Sequence, residues 1–208
     1  MRSPLPGFAA IILSVSMVFL SGCAQSKPTR FYVLHSMLDA RTPTQGATQG
    51  EDVPIGVGPV KIPDYLDRPQ MVARKGQSSL ELAEFDKWAE PLDKNLTRAI
   101  SGNLSVLLAT ESIVSFPWPK STQARYQVTV DIIQLDSVPG GKVVLDARWM
   151  ILCDGGDKVL VTKRSYIETP TSAAGYDGIA LAMSAAVESL SREIASAIGT
   201  FRSERPAA

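Results

Sequence analysis

Histidine is almost missing from this 208-residue chain, which has only His35. A zinc site built on two or more histidines is thereby excluded, and any catalytic triad would have to use His35. Cysteine is scarce as well, with only Cys23 and Cys153, so no disulfide framework can staple the fold. Neither sign of charge is in excess: 21 basic residues stand against 21 acidic ones. That balance removes the electrostatic footprint of a nucleic-acid binder. Phosphate-cradling motifs are missing too. Gly56-Val57-Gly58 lacks a third glycine and runs into Pro59, and the chain has neither a Walker A sequence nor a Gly-x-Ser-x-Gly elbow. The apolar run from Phe8 to Leu20 has 13 residues, short of the ~20 that a helix needs to cross a bilayer.

That short run has a different meaning. Arg2 and the amino terminus precede it, and Leu20-Ser21-Gly22-Cys23 closes it. A positive end, an apolar stretch and small residues at its close define a secretory signal peptide. The last four residues form a lipobox: an aliphatic residue, two small residues beside the scissile bond, and the cysteine that carries the lipid. Diacylglycerol on the Cys23 sulfur and an acyl chain on its freed amine would fix the protein to a membrane, since two or three buried chains make release negligible. No other cofactor and no metal is expected. Removing residues 1–22 leaves 186 residues, enough for one domain with its own core. With Cys23 lipidated, the domain is expected to fold without a disulfide. Cys153 ends the alternating series Val143, Leu145, Ala147, Trp149, Ile151, so it reads as a buried structural thiol.

Residues 23–30 read as lipidated cysteine and tether, 31–200 as a single α+β domain, and 201–208 as a disordered tail. A first strand is expected over Phe31 to His35. The stretch from Met37 to Asp52 has no apolar period and reads as a loop. Val53 to Ile62 alternates but breaks at Gly58-Pro59, the mark of an edge strand or of a strand with a bulge. Gln70 to Arg74 and Ser79 to Ala83 read as a hairpin. A helix is expected from near Trp88, with Glu90 and Pro91 in its first turn. Its apolar stripe is Leu92, Leu96, Ile100, Leu104 and Leu107/Leu108, with Gly102 as an internal cost of about 1 kcal/mol. Ser112 to Phe116 is a further strand, and Pro117-Trp118-Pro119 a rigid corner. Tyr126 to Leu135, with a bulge at Ile132-Ile133, then Lys142 to Cys153 and Lys158 to Ile167 predict a meander joined by glycine-rich turns. A last helix carries Ile179, Met183, Ala186/Val187, Leu190, Ile194 and Ile198, with Gly199 as its stop. The class is α+β, a mixed or antiparallel sheet with two long helices packed on one face.

Groups that could do chemistry are few. Glu81, Glu84, Asp86 and Glu90 cluster in sequence, but at a strand-to-helix junction, where solvated charge is the plainer reading. Asp146 and Arg148 alternate with the apolar face of their strand, so they face solvent or pair across strands. Trp149 belongs to the core. Trp118, held between prolines in a corner, is a candidate partner contact.

Several stretches together resemble one family. They are Arg30-Phe31-Tyr32-Val33-Leu34, Val57-Gly58-Pro59-Val60, Tyr65-Leu66-Asp67-Arg68-Pro69-Gln70-Met71-Val72 and Phe85-Asp86-Lys87-Trp88-Ala89-Glu90-Pro91-Leu92. Asn103-Leu104, Pro117-Trp118, Leu145-Asp146-Ala147-Arg148-Trp149 and Leu190-Ser191-Arg192-Glu193-Ile194-Ala195 extend the match. The family is that of the ABC-type transport auxiliary lipoproteins, the PqiC-like group. The resemblance implies a non-enzymatic part in intermembrane lipid transport in Gram-negative bacteria, beside a permease, an ATPase and an MCE-domain protein that bridges the periplasm. Aspartate after the lipidated cysteine retains such lipoproteins in the inner membrane; here Ala24 stands there, which implies the outer membrane and its periplasmic face. The leading expectation is an adaptor that docks the MCE-protein conduit, as a homo-oligomer, with Arg68, Pro69, Gln70, Trp88, Glu90 and Trp118 as candidate contacts; the other reading of Arg68 and Trp88 is that they lock the strand-to-helix layer. A lipid carrier with its own apolar cavity is the alternative, and a periplasmic hydrolase using Glu84, Asp86, Glu90 and His35 is a third reading.

Overall fold

Alternating apolar residues build two sheets rather than one. In this computed structural model, residues 27–39, 54–119, 122 and 124–204 are described. The lipobox, the greater part of the expected loop and the last four residues lie outside them. The smaller sheet has the order β1 (Arg30–Tyr32), β4 (Leu80–Trp88), β3 (Gln70–Arg74). β1 runs parallel to β4, and β3 with β4 forms the expected hairpin. The larger sheet has the order β5 (Ile113–Ser115), β2 (Ile55–Lys61), β6 (Tyr126–Ser137), β7 (Lys142–Cys153), β8 (Lys158–Pro170). β2 pairs parallel with β5 and β6, while β6, β7 and β8 form the antiparallel meander.

β2 is internal, so of the two readings of its Gly58-Pro59 break the bulge is the right one. Its register with β6 shifts between Val57 and Val60, and its pairing with β5 ends at Val57. The proline therefore sits where no ladder needs its missing amide. Gly58 has φ +116°, a conformation closed to other residues, and a Cβ there would lie 2.7 Å from that of Phe116. The bulge in β6 falls between Ile132 and Gln134, as the phase change in the sequence requires.

Two helices, α1 (Leu92–Leu107) and α2 (Gly175–Glu204), pack against each other and on the larger sheet, α1 over β2 and α2 over β7 and β8. The apolar stripes read from sequence face inward. Leu96, Ile100, Leu104, Ile179, Val187, Leu190, Ile194 and Ile198 are fully buried with Leu135, Leu145, Trp149 and Ile151 of the sheet. Each such side chain contributes about 1.5–3 kcal/mol. Cys153 is a buried thiol in the same core.

Three expected boundaries move. α1 starts at Leu92 and not at Trp88, because the sheet claims the intervening backbone: the Trp88 amide donates to Pro69 at 2.7 Å and the Ala89 amide to Tyr32 at 2.9 Å. Pro91 is the residue before the first turn, and Asp93 is the acid within it. Gly199 does not stop α2, which continues to Glu204 because Phe201 extends the Ile194–Ile198 stripe onto the core. The strand expected over Phe31 to His35 ends at Tyr32, and the chain leaves the sheet.

From Val33 to Met37 the chain crosses the two helices as a strap held by their side chains. Asn95 Oδ1 accepts from the Leu34 amide at 2.9 Å, Ser184 Oγ from the His35 amide at 3.0 Å, and Asn103 Oδ1 from the Met37 amide at 2.7 Å. Gly102 provides the clearance: a Cβ on it would fall 2.7 Å from Ser36 Oγ and 2.8 Å from Ser36 Cβ. Gly102→Ala should therefore destabilise the protein by roughly 1–2 kcal/mol, although alanine is the better helix former by about 1 kcal/mol. A urea midpoint at or above that of the parent would refute the tight crossing.

Candidate functional site

The sequence candidates for chemistry do not converge. Glu81 pairs with Lys75 at 3.5 Å, and Glu90 with Arg98 at 3.0 Å. Asp86 is buried, accepting from Tyr32 Oη and from Arg30 Nε, each at 2.8 Å. Burial, with the Asp86 carboxylate next, pushes the Tyr32 hydroxyl up. Each acid except Glu84 thus has a cationic partner on another segment. His35 is exposed and lies on the strap, outside any strand. Among the described residues no three of His, Cys, Asp and Glu could hold a metal ion.

The candidate contact residues divide in the same way. Trp88 is only 5 % exposed, so its ring belongs to the core and presents no surface. Glu90 is half-buried in its pair with Arg98. Arg68, Pro69 and Gln70 lead into β3, with Pro69 exposed and the other two half-buried. Arg68 Nε is enclosed, without a hydrogen-bond partner among the described residues.

Trp118 is the candidate with the most developed surroundings. It is half-buried, meets Phe116 edge to face at a centroid distance of 5.7 Å, and lies across Gly56. It lines an open groove of about 700 Å³ shared with Arg125, Gln127 and Asp154. Those three were not singled out from sequence. The available signal was the tight turn at Asp154-Gly155-Gly156, which the Tyr126↔Cys153 register brings beside Gln127. A second open groove, about 490 Å³, runs along α1 from Leu38 past Arg98 and Ser101 to Phe116. Both grooves are open and carry polar groups, so neither is the enclosed apolar cavity that a lipid carrier needs.

Two carboxylates knit the sheets. Asp136 is buried and accepts from Arg74 Nε at 2.7 Å and from Tyr65 Oη at 3.1 Å, which joins β6 to the smaller sheet. Burial, then the Asp136 charge, pushes the Tyr65 hydroxyl up to about 12. Asp146 is buried too and takes a two-pronged bond from Arg164 at 2.8 and 2.6 Å across β7 and β8. The second of the two sequence readings of Asp146, a cross-strand pair, is therefore the right one, while Arg148 is exposed.

The chain belongs to the ABC-type transport auxiliary lipoprotein component family, whose model matches residues 32–195. Among its relatives is the intermembrane transport lipoprotein PqiC of Escherichia coli, 24 % identical over 166 residues, 80 % of this chain and 84 % of that one. A solved structure of an uncharacterised protein superposes with a TM-score of 0.66 at 22 % identity, covering 83 % of this chain and 99 % of that one. A Xanthomonas campestris protein gives 0.64 at 14 % identity over 85 % and 100 %. These two share the fold.

Gly56 and Trp118 offer a direct check of the first groove. A Cβ at position 56 would lie 2.6 Å from the indole ring, so Gly56→Ala should push Trp118 outward. In fluorotryptophan-labelled protein one of the three tryptophan resonances should move toward its solvent-exposed position; three unmoved resonances would disprove the contact. Asp146 gives a pH signature. The Arg164 guanidinium, opposed by burial and helped by Arg148, holds its carboxyl below the usual carboxylate range. A lowered folded value means stability that is present above the unfolded pKa of ~3.9 and is lost as pH falls through the folded one. Asp146→Asn should lower the urea midpoint at neutral pH and flatten its decline below pH ~4. Parallel acid limbs would count against the pairing.

Proposed function

We propose that this protein is a non-enzymatic auxiliary component of an intermembrane lipid transport system, held by lipid on Cys23 at the periplasmic face of the outer membrane, where it docks the MCE-protein conduit. The family match over residues 32–195 carries the reading, and the curated relative is itself an intermembrane transport lipoprotein. Two physical observations support it. Of the groups that a hydrolase would need, Asp86 and Glu90 are held in ion pairs, Glu84 stands exposed on β4 and the histidine lies on the strap, while the surface keeps grooves and strand edges suited to protein contact. Among the described residues no helix is long and apolar enough to cross a membrane, so a lipid at Cys23 would supply the attachment.

The candidate docking surface is the Trp118 groove, with the Arg68-Pro69-Gln70 segment, on the smaller sheet, as a second and separate contact. Homo-oligomerisation is part of the same reading: β8, 13 residues long, ends its sheet with one edge unpaired among the described residues. Such an edge is a template for another strand. The test is co-purification from membranes of cells that also express the MCE-domain protein. The parent should bring that protein down and Trp118→Ala should recover severalfold less, while Cys23→Ser should leave the membrane fraction. Full recovery with Trp118→Ala would remove the groove from the interface, and no recovery with the parent would end the docking reading.

A further inference from the structure

Phe31 is 65 % exposed, more than any other large apolar side chain among the described residues. It stands on β1, which pairs with the sheet on one side only. Val33 follows at 39 %, and Leu181 on α2 is exposed at 42 %. Tyr32 packs against the core and Leu34 is fully buried, so Phe31 and Val33 leave the chain on the opposite side. Leu181 borders the same segment. One turn before it on α2, Asp177 is near enough to act on Arg30 and Tyr32, and three residues after it Ser184 receives the His35 amide. The three apolar side chains thus edge the start of the described domain.

The length of chain before them says what they meet. Phe31 stands eight positions after Cys23, with seven residues between them, and fully extended those eight steps reach at most about 26–29 Å. Residues 31–200 make a domain of 170 residues, with a radius of gyration near 15–16 Å and a width of about 40 Å. The tether is shorter than the domain is wide, so the β1 side cannot face directly away from the surface that holds the lipid. Lys87 is the register partner of Phe31 on β4, and Lys27 is exposed just before β1. Apolar side chains flanked by lysines suit the boundary between headgroups and acyl chains, where interfacial segments bury their apolar face about 5–10 Å deep.

We infer that Phe31, Val33 and Leu181 form a bilayer-docking edge, which inserts into the lipid interface and fixes the orientation of the domain on its anchor. The inference rests on lipidation of Cys23, and the test separates the two. The mature lipoprotein is incorporated into vesicles of phosphatidylethanolamine and phosphatidylglycerol, with a nitroxide at Val33→Cys, at Leu181→Cys or, as a control, at Val159→Cys on β8. Flotation with the vesicles reports the anchor. The ratio of oxygen to nickel-chelate accessibility should rise severalfold at positions 33 and 181 on incorporation and stay unchanged at 159. Adding Phe31→Asp to the Val33→Cys protein should return that label toward water while flotation persists; position 31 is exposed enough for the fold to tolerate the charge. Flotation with water-exposed labels at 33 and 181 overturns the docking edge and leaves the anchor standing. Labels shielded from both reagents identify a second copy or another protein on this edge and overturn it equally. Protein that does not float has lost the anchor and the proposal with it.

Discussion

Two buried asparagines decide how this chain begins. Asn95 and Asn103 lie two turns apart on α1, both fully buried, and their carbonyl oxygens take the amides of Leu34 and Met37. A buried amide left without a partner costs about 1–3 kcal/mol, so the strap is stable only where these acceptors stand. Arg98 reinforces the arrangement by donating to both the Leu34 carbonyl and Asn95 Oδ1. Asn103 passes it on to α2 through Ser191, whose hydroxyl it reaches at 3.1 Å. Strap and helix pair are thereby one hydrogen-bonded unit, and Gly102 is the gap that lets them close.

That unit explains several departures from the sequence reading at once. The alternation of Phe31, Val33 and His35 is the period of a strand, and by itself it predicts one through His35. What ends β1 at Tyr32 is the set of side-chain acceptors waiting 60 or more residues along the chain, which no local pattern announces. Gly102, a cost within an isolated helix, is a requirement once a second segment crosses it. Trp88 fails as a surface residue for a related reason: β4 runs further than its hairpin signal because β1 pairs with it in parallel, and a parallel partner leaves no turn to read.

Other features were legible because they depend on nearby residues. The stripes of α1 and α2, the meander, the β6 bulge and the buried Cys153 all follow from periods of two and of 3.6 within one segment. Gly199 shows the limit of such reasoning. Glycine after an apolar stripe is a stop signal, but Phe201 lies beyond it and packs against the core, and tertiary burial outweighs a propensity of about 1 kcal/mol. The candidate site was half legible. Trp118 stood out by its prolines, whereas Arg125, Gln127 and Asp154 join it only through the pairing of β6 with β7.

The distribution of charge fits a component that contributes surface rather than reactive groups. Asp86, Asp136 and Asp146 are buried, and each is answered by an arginine from another strand. An unanswered buried carboxylate would be expensive and would shift toward its neutral form, the state that an acid catalyst exploits. Here each carboxylate is paired with an arginine and committed to joining strands. What remains uncommitted is shape: a groove beside Trp118, a long edge on β8, and an apolar rim around Phe31 next to the tether. The rim borders β1 and α2, whereas the Trp118 groove borders the start of β6 and the turn after β7, so a domain settled on the membrane through the first would keep the second for a partner.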